Sequence, residues 1–217
     1  EQVPVIQILD PLLVVVLLLN FIALGASRLR EVIYAVASQG VLLGLLPFFV
    51  HRDVGLRVVL LVLAIIAVKA FIIPRLLIYA MREVTIPREV EPFVGFIPSL
   101  LLGAFGTGTA LLFARTLPLG PEHRDSLIVP AALATFLTGF LILTTRKKAI
   151  SQAVGYLVLE NGIFLFGLLL VEAMPFLVEV GVLLDLLVGV FVMGIIINQI
   201  SREFSSQSTE HLSSLKE

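Results

Sequence analysis

Long apolar runs follow one another along this chain, each about 20 residues and each divided from the next by a short charged turn. Such a chain has few ways to fold. About 20 residues at roughly 1.5 Å of helical rise match the hydrocarbon thickness of a bilayer. In lipid every backbone N–H and C=O must be satisfied internally, which favours helices and excludes open sheets. The runs fall at roughly 8 to 26, 31 to 50, 55 to 80, 93 to 115, 127 to 145, 149 to 172 and 176 to 201. The expected fold is therefore all-α and polytopic, with about seven transmembrane helices.

Composition narrows the function. Hydrophobic residues make up 59% of the 217 and charged residues 14%, with a mean hydropathy of +1.08. Soluble domains hold roughly 45 to 50% apolar residues, so the chain reads as an integral membrane protein. It contains no Cys and no Trp. Disulfides, thiolate metal sites, iron-sulfur clusters and cysteine nucleophiles are excluded, no cofactor is expected, and electron chemistry must reside on a partner. A net charge of -1 argues against nucleic-acid binding. His51, His123 and His211 are too scattered to form a metal site. The first run is read as a retained span, because Glu1 and Asp10 stand where a signal peptide has basic residues.

The turns set the expected topology. One set of ends collects Arg28, Arg30, Arg82, Arg88, Arg146, Lys147, Lys148, Arg202 and Lys216, and the other mainly Arg52, Arg57, Arg115 and Arg124. The positive-inside rule then places the N-terminus outside and the C-terminus in the cytoplasm of a multi-pass protein of the cell membrane. An internal repeat is superposed on this topology: "YAVASQGVLLG" from Tyr34 sets against "YLVLENGIFLFG" from Tyr156, matching Gln39 to Asn161 and Gly40 to Gly162. The organisation expected is two three-helix units, 1–82 and 126–204, joined by a linker helix within 83–125 and followed by a polar cytoplasmic tail, 205–217. One intervening helix makes the two units parallel in orientation, unlike inverted transporter repeats.

Within the apolar runs stand a few ionisable residues. Glu160 and Asp185 both fall near the midplane of their spans. A carboxylate there costs on the order of 2.5 to 3.5 kcal/mol, so such groups face the protein interior and mark proton or ion routes. Two neighbouring carboxylates can hold and release a proton. Gln152, Tyr156 and Glu160 follow at i, i+4 and i+8, a polar stripe that could carry a water file from the turn "TRKK". Asp185 lies between Gly181 and Gly189 at the same spacing, on a face that lets another helix approach. The alternative for each acid is a protonated group that only hydrogen-bonds a neighbouring helix. Lys69 lies near the centre of the third span with no acid in its own helical neighbourhood. It reads either as a buried amine that carries a proton or pairs with a carboxylate on another helix, or as a side chain snorkelling to the interface. Pro74 is expected to kink or break that helix, and Arg75 to anchor at the interface. Asp10 before Pro11 reads as an N-cap of the first helix, Glu31 and Glu179 as charges near helix starts, and "GAFGTGTA" at 103–110 as a small-residue packing face.

Taken together, the last three spans and the tail resemble the small K-type membrane subunit of respiratory complex I, on the basic first turn, the Glu in the second helix and "LLDLLVGVFVMGI" in the third. Over its whole length the chain resembles the E component of hydrogenase-4 and formate hydrogenlyase-type complexes. The resemblance implies a subunit without an active site of its own, in the membrane arm of a group 4 nickel-iron hydrogenase or related complex, beside antiporter-like subunits. It implies a role for Asp185 in linking redox chemistry in a peripheral arm to proton or sodium movement. If Asn161 is aligned with the family's Asn, the family Glu falls at Leu157 and Glu160 follows three residues later. The competing readings are a structural spacer that docks antiporter-like subunits and an independent cation transporter.

Overall fold

A computed structural model of the chain describes residues 3–50, 55–83, 92–117, 126–170 and 194. Its helices are α1 (Val3–Gly25), α2 (Leu29–Val50), α3 (Leu56–Ile66), α4 (Ile73–Glu83), α5 (Phe96–Ala114), α6 (Ile128–Thr145) and α7 (Ala149–Leu170). A π-helical segment, Ala67–Ile72, joins α3 to α4 in one continuous rod. Five helical stretches among the described residues are long and apolar enough to cross a membrane: Leu29–Phe49, Val62–Tyr79, Phe96–Ala114, Ile128–Thr145 and Ile150–Leu168. Leu9–Gly25 is a shorter apolar helix. The first six expected spans fall on α1, α2, the α3–α4 rod, α5, α6 and α7; the seventh, at 176–201, lies outside the described residues, as do Glu179 and the three histidines.

The expected N-cap is corrected, and of the kink or break expected at Pro74 the break does not occur. Asp10 does not cap α1, which begins at Val3; its Oδ1 accepts the backbone N–H of Leu127 at 3.1 Å, at the entry to α6. An acid within one helix thus satisfies an orphan donor of another. Pro74 does not break the rod. The amide of Ile73 donates to the carbonyl of Val68, five residues back, so the turn ahead of Pro74 is widened. A wider turn relieves the clash of a proline ring with the carbonyl four residues earlier, and the missing N–H is absorbed into the change of register.

α6 and α7 form the most intimate pair. Glycines make that possible: a Cβ on Gly139 would overlap the backbone of Leu159, one on Gly155 that of Leu143, and one on Gly162 that of Phe136. Neither hydrophobic transfer nor backbone bonding separates helices from lipid, so close van der Waals approach is what joins them. α1 packs on α2, α5 and α6, and α2 packs on α7 and on the rod. α5 contributes a buried stripe of Ser99, Gly103, Ala110 and Ala114. The "GAFGTGTA" stretch packs only in part, with Gly103 against Leu24 and Gly106 against Leu137, while a Cβ on Gly108 would meet nothing.

The apolar core is divided in two. One cluster gathers Leu24, Val32, Val36, Leu77, Ile142, Val154 and Leu157; the other gathers Leu13, Val16, Leu43, Leu46, Ala132 and Leu165. Followed along α1, α2, α6 and α7, each helix passes from one cluster to the other. The crossing point on every one is polar: Asn20 on α1, Gln39 on α2, Thr135 and Thr138 on α6, Glu160 and Asn161 on α7. Lys69 on the π segment lies in the same layer.

Candidate functional site

That polar layer is a connected network. Lys69 Nζ is 2.8 Å from Glu160 Oε1, an ion pair between the rod and α7 in which the two residues are 9% and 5% exposed. The same ammonium donates to Asn161 Oδ1 at 3.2 Å and sits 5.3 Å from the centroid of the Phe164 ring. Asn161 Nδ2 donates to Gln39 Oε1 at 3.3 Å. Gln39 Nε2 donates to Asn20 Oδ1 at 2.8 Å and to the carbonyl of Val16 at 3.3 Å. Asn20 Nδ2 donates to Thr135 Oγ1 at 2.9 Å. Each donor in the series hands on to the next acceptor in one direction, from the cation toward α6, so the amide dipoles turn their oxygens toward Lys69. Aligned hydrogen-bonded dipoles polarise one another in a low dielectric.

Local structure explains why the pair can form. Six residues of π-helix shift the register of the rod at Lys69, and such segments are frequent at functional sites. Across from it α2 presents Gly40, where a Cβ would lie 2.8 Å from that of Lys69 and 3.2 Å from its carbonyl carbon. Gly44, one turn on, faces Ile65 and Ile66 in the same way. These two glycines form the groove in which the rod lies against α2, bringing its lysine within reach of α7. A small cavity of about 10 Å³ adjoins the pair, lined by Val36, Lys69, Ile73, Leu157 and Asn161.

The residues singled out from sequence are placed as follows. Lys69 is buried and does not snorkel to an interface; it and Glu160, 91 positions apart on separate helices, meet directly. Asp185 lies outside the described residues. Gln152 is half-buried and donates to the carbonyl of Arg146 at 3.0 Å, and Tyr156 is half-buried against the first core cluster. Leu157, where the K-type alignment places an acid, is an apolar wall of the cavity. Arg75 is exposed, its guanidinium 6.0 Å from the Phe71 ring.

Sequence reasoning missed Asn20 and Thr135, and saw Gln39 only as the repeat partner of Asn161. A lone Asn in "LLLNFIAL" was a signal, because an amide within an apolar run needs an interior partner. Thr135 gave none. Arg146 was counted only as a topological charge, yet it is 1% exposed. Its Nη2 donates to the carbonyl of Leu24 at 2.8 Å and its Nη1 to that of Val94 at 3.3 Å, with the Phe96 ring 5.4 Å away. It thereby closes the C-terminal end of α1, which a cation favours. Burial lowers its pKa from the ordinary arginine value.

Among the described residues, an all-helical bundle with five membrane-length apolar helices and a buried ionic layer defines a polytopic integral membrane protein. The chain belongs to the hydrogenase-4 component E family: it is 30% identical over 152 residues to Hydrogenase-4 component E of Escherichia coli K12, covering 68% of each chain. The same extent of similarity holds for Hydrogenase-4 component E of Shigella flexneri. It is 35% identical over 193 residues, 87% of each chain, to the Mycobacterium tuberculosis protein called Uncharacterized protein Rv0085. No family model and no solved structure matches the chain.

Proposed function

We propose that this chain is a non-catalytic membrane subunit of a group 4 nickel-iron hydrogenase-type, complex I-related assembly, and that its buried ionic layer helps couple redox chemistry to proton or sodium translocation. The observation that carries the reading is the Lys69–Glu160 pair at 2.8 Å, midway along the bundle between two apolar clusters. A cation and a carboxylate held together away from both ends form a site whose charge a passing ion can displace or neutralise. A spacer would need only packing contacts there, and replacing a buried ion pair by apolar residues is often neutral or stabilising. Asp185 enters the same proposal as the acid the resemblance implies, and Tyr156 and Gln152 as flanking polar groups on α7. The partners are antiporter-like and other membrane subunits, and through them a nickel-iron peripheral arm.

The parallel arrangement of two three-helix units is part of this reading. Supporting it, two hydrogen bonds join residues 122 positions apart, Gln39 to Asn161 and Leu24 to Arg146, and 122 is also the spacing of the repeat from Tyr34 to Tyr156. Equivalent residues of two units touch one another only near the axis relating them. The basic turns support a cytoplasmic C-terminus. The test is ion movement by the complex reconstituted in vesicles: Glu160→Gln, and the paired Lys69→Met with Glu160→Leu, are expected to keep assembly and redox turnover while lowering the ions moved per turnover. Native ion movement by both variants would leave the spacer reading standing, and ion transport by the isolated chain would favour the independent transporter.

A further inference from the structure

The rod carries two cations within its membrane-length stretch, Val62–Tyr79, and they are treated in opposite ways. Lys69 is buried and meets Glu160 and Asn161. Arg75 is exposed, and no carboxylate among the described residues pairs with it; its guanidinium lies against the Phe71 ring instead, 6.0 Å from the centroid. Arg75 stands four positions, about 6 Å, inside the Tyr79 end of the stretch. An arginine at such a depth in lipid ordinarily snorkels toward the headgroups, which here means toward Tyr79 and Arg82. Phe71 lies one turn the other way, nearer the middle of the rod, so the guanidinium leans inward from that boundary. Helical side chains tilt toward the N-terminus of their helix, and the N-terminal end of the rod is the far one, so the backbone itself favours this lean.

Arg75 belongs to a continuous outward face. Exposed residues follow down one side of the rod as Leu60, Leu63, Ala67, Phe71, Arg75 and Tyr79, an apolar stripe with a single charge. Ala67, midway along it, is small enough to let another helix come close. The π segment keeps the stripe straight. On the buried side the step from Lys69 to Pro74 is five positions, where a regular helix steps three or four, and the extra residue holds Arg75 and Tyr79 in line with Leu60 and Leu63. The same register shift that turns Lys69 inward toward Glu160 therefore turns Arg75 outward.

Charged residues inside membrane spans pair with one another or face a protein interior, and lipid tails offer a guanidinium neither. This chain's Glu160 and Asp10 are engaged elsewhere, by Lys69 and by the backbone of Leu127. A carboxylate is the group that a planar guanidinium grips best, through two parallel hydrogen bonds. Resting on the assembly proposed above, we infer that the outward face of the rod is where another membrane subunit docks, and that Arg75 pairs there with an aspartate or glutamate on one of that subunit's transmembrane helices. Leu60, Leu63 and Phe71 supply the apolar contact, Ala67 the close approach, and Arg75 the register. The inward lean of the guanidinium is what favours a helix over the phosphate of a lipid headgroup.

Two measurements on the full chain in its native membranes test it. Benzoylphenylalanine placed at Ile72 or Tyr79, both exposed beside Arg75, is expected to link on illumination to a transmembrane peptide of a different subunit that carries an Asp or Glu within one turn of the linked residue. Links only to lipid, to this chain itself or to a helix without such an acid would overturn the proposal. Arg75→Gln is then expected to lower copurification of that subunit about tenfold or more, and Arg75→Glu to abolish it. Changing the partner's acid to Arg should restore copurification with Arg75→Glu, a rescue that a merely apolar contact would not show. Because Arg75 is exposed, the Arg75→Gln chain should unfold at the native midpoint, which separates lost docking from lost fold. Full copurification with Arg75→Gln and Arg75→Glu would overturn the docking face and leave the assembly standing; if Arg75→Gln then also lost bound phosphatidylglycerol, the site would belong to a lipid phosphate. A linked, acid-bearing helix from a chain outside any hydrogenase-type complex would instead keep the docking face and overturn the assembly.

Discussion

Lys69 and Glu160 are each unfavourable alone and acceptable together, and that asymmetry governs what substitutions do. Removing one partner leaves a buried charge uncompensated, which typically costs about 3 to 5 kcal/mol. Lys69→Met or Glu160→Leu should therefore lower the unfolding midpoint in detergent strongly, and the double variant should recover most of that loss; a double-mutant cycle measures the coupling. Glu160→Gln is milder because the amide still accepts from Lys69. Arg146 differs in kind. Its guanidinium serves carbonyls at Leu24 and Val94, with its own charge spread over a planar fork. Arg146→Leu strands those acceptors and should cost about 1 to 3 kcal/mol, while Arg146→Lys, a point charge without the fork, should recover only part of it on thermal unfolding.

At the scale of elements, the site depends on how closely the rod approaches α2. Gly40 lies where any Cβ meets the Cβ and carbonyl carbon of Lys69, so Gly40→Ala should displace the rod and cost about 1 to 3 kcal/mol of overpacking. The same change at Gly108, where nothing lies within 4 Å, should alter stability by less than about 1 kcal/mol. Comparing the two by thermal unfolding separates close approach from general glycine effects. The π segment makes a second test. Deleting one residue of Ala67–Ile72 would return the rod to α-helical register, because a π turn holds one residue more than an α turn; the flanking parts would keep their facing while Lys69 itself shifted on the helix surface. Such a deletion should uncouple Lys69 from Glu160 while leaving the apolar length of the span near native. Helix existence here was legible from sequence, since apolar length alone sets it. The π turn was not, because Pro74 announced a disruption without saying whether the helix would break, kink or widen.

For the molecule as a whole, the ionic layer ties α1, α2, the rod, α6 and α7 into one unit, with α5 fastened to its flank by small residues. Outward-facing Ile97, Leu101, Phe105 and Leu112 on α5 are exposed, as suits a surface met by lipid or by other membrane subunits. The proposed assembly predicts that purification in mild detergent brings down antiporter-like subunits and a nickel-iron large subunit; their absence from the copurified chains, read by mass spectrometry, would count against it. What the sequence by itself determined was the membrane, the helices and the positions of their costly polar groups, because insertion energies act residue by residue along a helix. Which of those groups face one another was decided by tertiary structure alone. Glu160 meets Lys69, Asn161 meets its repeat counterpart Gln39, and Arg146 closes α1, through glycine contacts and a change of helical register that place residues far apart in the chain within 3 Å or so of each other. Helix rotation and depth of approach are properties of pairs of surfaces, and no single run of residues encodes them.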